Sequence, residues 1–131
     1  MENVEIKVGE EKVVVGGDLF RVNVEKAGEI AEEIFRFGEL LARAEEVRIL
    51  VDAEYRAWRA HLGYELIAKD PKLSEWKLRQ RLEGSEEFSE FKRGIGIAQR
   101  NVTVLQSVLE GLDAKLSVLT SVLARETAAK E

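Results

Sequence analysis

The sequence predicts a mainly α protein: a small N-terminal β-ribbon, then a long antiparallel helical hairpin with a short helix at its bend, assembling as an oligomer. Three observations carry that expectation. Apolar residues alternate with polar ones only near the N-terminus, and from about Glu25 onward they recur at helical spacing. The chain has a single proline and is rich in Glu, Leu, Val, Arg and Ala, the bias of long helices. Its C-terminal third holds a heptad seam that stays in phase for five repeats.

In the first segment, Val4, Ile6 and Val8 alternate with polar neighbours, and Lys12 to Val15 repeats the pattern after Gly9-Glu10-Glu11. These predict two short strands joined by a turn. Leu19, Phe20, Val22 and Val24 suggest a third strand completing the ribbon. So small a sheet is marginal alone and must lean on a helix or pair with another copy. Residues 1–24 are assigned to this ribbon and residues 25–131 to the helical, oligomerising part, within one structural unit.

Ile30, Ile34, Phe37 and Leu41, continued by Val47, Val51, Tyr55, Trp58 and Leu62, mark one face of a helix reaching about Ala68. Asp70-Pro71 ends it, because proline restricts the residue before it and supplies no amide donor. Ser74 then reads as the N-cap of a short helix through Leu82, closed by Gly84, and Ser85 as the N-cap of the last helix.

Phe88, Phe91, Ile95, Ala98, Val102, Leu105, Leu109, Leu112, Leu116, Leu119 and Leu123 follow alternating spacings of three and four, predicting a coiled-coil helix over about 88–123. With Phe88 at position a, Ile97, Val104, Val108, Val118 and Val122 fall at c and g and make a companion stripe. One stripe is expected to meet the chain's own long helix and the other a neighbouring chain. Val102, Leu105, Val108, Leu109, Leu112, Leu116, Leu119, Val122 and Leu123 are therefore the candidate oligomerisation residues. The alternative is that both stripes are buried within one monomeric bundle. Gly94, Gly96 and Gly111 lie inside this helix at about 1 kcal/mol each relative to alanine, so close approach of another backbone is expected there.

Chemistry has few candidates. There is no cysteine and one histidine, His61, with no Glu-x-x-His spacing, so no metal site, cofactor or catalytic triad is indicated and the chain reads as a non-enzyme. Beside Trp58 and Leu62, His61 reads as a partly buried packing residue. Glu32-Glu33, Glu45-Glu46 and Glu86-Glu87 point in different directions on a helix and read as solvated faces.

The net charge of −5 is uneven: residues 1–54 carry 7 Lys/Arg against 14 Asp/Glu, and residues 55–100 carry 10 against 7. The basic middle contains Tyr55-Arg56-Ala57-Trp58-Arg59 and Trp76-Lys77-Leu78-Arg79-Gln80-Arg81. Cations for phosphates and flat rings for stacking are what unpaired bases require, so Arg56, Trp58, Arg59, Lys77, Arg79 and Arg81 are the candidate nucleic-acid-binding residues. Read alone, the two tryptophans fit better as core anchors at the bend. No apolar run approaches membrane length and no leader is apparent, so a soluble, cytoplasmic protein of a bacterium or phage-infected cell is expected.

The order of elements, with Tyr55-Arg56-Ala57-Trp58-Arg59, then Leu73-Ser74-Glu75-Trp76-Lys77, then Phe88 opening a Leu-rich helix with Leu112-Asp113-Ala114-Lys115, resembles the UvsY-type recombination mediators of phages over roughly residues 45–120. The resemblance implies a small helical protein forming a ring-like homo-oligomer. Such a protein binds single-stranded DNA, displaces a single-strand-binding protein and helps load a RecA-like recombinase. It also implies DNA contacts at Arg56 and Arg59. The acidic N-terminal segment and the net charge depart from that pattern and imply weak binding per chain, raised by multivalency. The competing expectation is a structural or adaptor coiled-coil protein, such as a phage assembly or scaffold component, with no nucleic-acid binding.

Overall fold

The computed structural model describes residues 4–8, 10–15 and 27–130. In chain order the elements are β1 (Val4–Val8), β2 (Glu11–Val15), α1 (Ala27–Lys69), α2 (Glu75–Glu83) and α3 (Glu86–Lys130). The chain is mainly helical, with a two-stranded antiparallel sheet at its N-terminus. The third strand expected over Leu19 to Val24, and the helix start at Glu25, fall outside the described residues. Helix α3 runs beyond Leu123 to Lys130, because Ala124 to Lys130 are mostly strong helix formers and contain no breaker. The chain divides into two compact units, Met1–Glu45 with Asn101–Glu131, and Glu46–Arg100, so α1 and α3 each contribute to both.

In the first unit, β1 and β2 pair with Ile6 opposite Val13 and Val8 opposite Glu11. The period of two puts Ile6, Val8 and Val13 on a buried face and leaves Glu5, Lys7 and Lys12 exposed. That face joins one cluster with Ile30, Phe37, Leu40 and Ala44 of α1 and Val102, Leu105, Val108, Leu112 and Leu119 of α3. Asn101 Nδ2 donates to the Lys7 carbonyl at 2.7 Å, fastening the hairpin to α3. Glu11 forms ion pairs with Arg36 at 3.9 Å and Arg43 at 3.1 Å, but these exposed pairs add little stability.

This cluster shows where the α3 residues singled out for oligomerisation lie within the chain's own fold. Val102, Leu105, Val108, Leu112 and Leu119 are buried by the chain's own fold, and Leu109 and Leu116 pack half-buried against them. Val122 is half-buried, and Leu123, at 40% exposure, faces outward. Part of the companion stripe turns inward as well, since Val108 shares a heptad row with Asn101, the residue bonded to β1. Ile97 and Val118 of the same stripe remain exposed. A 3.5-residue repeat dictates that a face is covered, not by what, and here β1, β2 and α1 share the cover of the buried α3 residues.

In the second unit, α1 and α3 run antiparallel, with Val51 near Gly94, Tyr55 near Phe91 and Trp58 near Glu87. The connection between α1 and α2 is set locally. Asp70 Oδ1 accepts from Lys72 N at 3.2 Å around Pro71, and Ser74 Oγ accepts from Lys77 N at 3.3 Å as the N-cap of α2. Gly84 N–H closes on the Gln80 carbonyl at 2.9 Å. Ser85 Oγ donates to the Leu82 carbonyl at 2.8 Å and accepts from Phe88 N at 3.2 Å, ending one helix and starting the next.

The glycine expectation is overturned for Gly94 and Gly96. A Cβ at Gly94 would meet only the Val51 Cγ1 side-chain atom, at an ordinary 3.7 Å, and one at Gly96 would meet nothing within 4 Å. Among the described residues, no helix is long and apolar enough to cross a membrane.

Candidate nucleic-acid interface

Within the second unit, α1 has two differently used faces. Val51, Tyr55, Trp58 and Leu62 lie on the side that meets α3, whereas Arg56, Ala60, Gly63 and Ile67 line the side next to α2. Between α1 and α2 runs an open groove of about 580 Å³, lined by Arg56, Arg59, Ala60, Gly63, Tyr64 and Ile67 of α1 and by Glu75, Leu78, Arg79 and Leu82 of α2. Small residues at 60 and 63 leave the space. Buried Leu82 and half-buried Leu78 seat the short helix beside them.

Three arginines and one carboxylate, Glu75, give the groove a positive balance. Arg56 Nε pairs with Asp52 Oδ2 at 3.0 Å, one turn earlier on α1. Arg59 Nη1 donates to Tyr55 Oη at 2.8 Å, which holds its guanidinium plane while leaving other donors of the fork for a ligand. Planar guanidinium forks arriving from two helices suit the oxygens of phosphate esters.

Of the residues singled out from the sequence, Arg56, Arg59 and Arg79 are brought together in this groove. Lys77 and Arg81 are exposed on α2 but do not line it. Trp58 is placed elsewhere. Its ring lies 5.1 Å from Phe91 and 6.1 Å from Tyr55, and its Nε1 donates to Glu87 Oε2 at 2.6 Å. It borders a second cavity of about 410 Å³ with Val51, Glu87, Glu90, Phe91 and Gly94, an acidic setting unsuited to a polyanion. The anchor reading fits Trp58 and fails for Trp76, which is 66% exposed. Tyr64, at 75% exposure on the groove wall, was not singled out from the sequence. Its signal is its helical spacing from Arg56 and Ala60, which puts an aromatic ring on the basic face.

His61 also departs from expectation. It is exposed and pairs with Glu65 at 3.1 Å rather than packing into a core. Lys92 Nζ sits over the Tyr55 ring at 4.9 Å and the Phe88 ring at 5.6 Å, closing the aromatic cluster. Among the described residues, no group of three or more His, Asp or Glu side chains is arranged to hold a metal ion.

Fold and site together define a mainly helical protein with an N-terminal two-stranded sheet and an arginine-lined surface groove. No protein-family model, curated protein or solved structure matches the chain.

Proposed function

We propose that the chain is a single-stranded nucleic-acid-binding accessory protein, with the groove between α1 and α2 as its phosphate track. The observation that carries this reading is the convergence of Arg56, Arg59 and Arg79 in a groove walled by the exposed Tyr64 ring, with a second exposed ring, Trp76, on the same short helix as Arg79. Phosphates would lie along the arginines while flipped-out bases stack on the rings, an arrangement indifferent to base sequence. With a net charge of −5, one copy binds weakly and several copies acting together bind usefully. The likeness to UvsY-type mediators extends the reading to a cytoplasmic homo-oligomer that displaces a single-strand-binding protein and helps load a RecA-like recombinase.

Fluorescence anisotropy with a labelled single-stranded oligonucleotide tests the reading. Binding should weaken steeply with salt and fall when Arg56, Arg59 and Arg79 are replaced by alanine. Absence of binding at low salt and high protein concentration would reject it. The second reading, a structural or adaptor protein without nucleic-acid binding, is favoured by the exposed Ile49 and Leu50, which nucleic acid does not use.

A further inference from the structure

Leu50, Ala53, Ala57, Ala60, Tyr64 and Ile67 follow spacings of three, four, three, four and three along α1, and all six are exposed. The row is a short heptad seam on the side of α1 turned away from the aromatic cluster, with Leu50 61% and Ile67 47% accessible. Contiguous exposed apolar surface of this kind marks an interaction site.

From this seam we infer that α1 pairs with α1 of a second copy of the chain, antiparallel and about a two-fold axis near residues 57–60. The row is complementary to its own reverse. Turned end for end, Leu50 meets Ile67 of the second copy, Ala53 meets Tyr64, and Ala57 meets Ala60. A large side chain thus lies opposite a small one away from the axis, and two alanines let the backbones close at the axis. The flanks agree with the same register. On one side Glu54 falls opposite His61 of the second copy, a carboxylate facing an imidazole. On the other, Arg56 falls opposite Gly63, which has no side chain to obstruct the arginine stem. A two-fold contact demands this self-complementarity, whereas a foreign helix would not require it.

In an antiparallel pair the Arg56 and Gly63 flanks of both helices share one side of the interface. Each copy's arginine groove therefore opens on that side, and the two join into one longer basic track. The joined track rests on the nucleic-acid reading, and in the paired form Trp76 rather than the interfacial Tyr64 is the ring left to stack; the dimer does not rest on that reading.

Light scattering at micromolar concentration should give twice the 14.8 kDa chain mass. Ala57→Glu places like charges at the axis and should weaken pairing by at least roughly 100-fold with helicity unchanged by circular dichroism. The protein has no cysteine, so an Ala57→Cys chain mixed with an Ala60→Cys chain reports direction. Mixed disulfides between the two chains should dominate. A monomeric wild type, a mass of three or more copies, an Ala57→Glu variant that keeps its dimer mass, or a preference for 57-to-57 disulfides would each overturn the proposal. An Arg59→Ala, Arg79→Ala variant, which leaves Arg56 at the dimer flank intact, should keep the dimer while weakening nucleic-acid binding, so the two readings fail separately.

Discussion

The side-chain amide of Asn101 donates to the backbone carbonyl of Lys7 at 2.7 Å, so a polar residue in the buried face of α3 carries the link to the sheet. Asn101→Ala strands the Lys7 oxygen beside the apolar cluster and should cost about 1–3 kcal/mol in urea denaturation. Hydrogen exchange should show the loss concentrated in β1 and β2. Uniform loss across the chain would mean the bond does not fix the hairpin.

Leu105 and Leu123 belong to the same heptad seam and should behave oppositely. Leu105 is 0% exposed, and truncation to alanine leaves a cavity worth about 2–5 kcal/mol. Leu123→Ala, at an outward-facing position, should change stability by less than about 0.5 kcal/mol. Equal losses at the two sites would show that a neighbouring chain covers Leu123.

Two glycines separate conformational need from mere occurrence. A Cβ at Gly84 would lie 2.9 Å from the Gln80 carbonyl oxygen, a backbone atom held in the helix cap. Gly84→Ala should therefore lower the melting temperature by distorting the corner between α2 and α3. Gly96, mid-helix, exposed and unobstructed, should gain about 1 kcal/mol on replacement by alanine. Thermal melts of the two variants should shift in opposite directions.

The two tryptophans divide the same way. Trp76→Ala should weaken single-stranded DNA binding by about 1–3 kcal/mol with stability unchanged, as loss of one stacking platform does. Trp58→Ala removes the Phe91 and Tyr55 contacts and the Glu87 bond, so it should chiefly destabilise the second unit. Tryptophan fluorescence of each single variant reports the environment of the other ring.

The helix boundaries were legible because caps are local. Asp70-Pro71, Ser74, Gly84 and Ser85 act through neighbours two to four positions away, and each does so. The partner of the α3 seam was not legible, since periodicity names a face and leaves its cover to the rest of the chain. Arg56 and Arg59 were found by composition, but their meeting with Arg79 depends on α2 settling against the small residues Ala60 and Gly63. Trp58 was readable in principle: two residues beyond Arg56, it points roughly 200° around the helix. Grouping by sequence proximity hid that separation, and it also hid Tyr64, which angular position brings onto the basic face.

The bond between Lys7 and Asn101 spans 94 positions, which orders events during synthesis. The two strands leave the ribosome well before the helix α3 that covers their apolar face. Until then Ile6, Val8 and Val13 have only the start of α1 to shelter them, and the edges of the ribbon stay open to strands of other chains. The sheet is thus made well before the helix that secures it, and aggregation of the growing chain should be governed by β1 and β2 rather than by the helices.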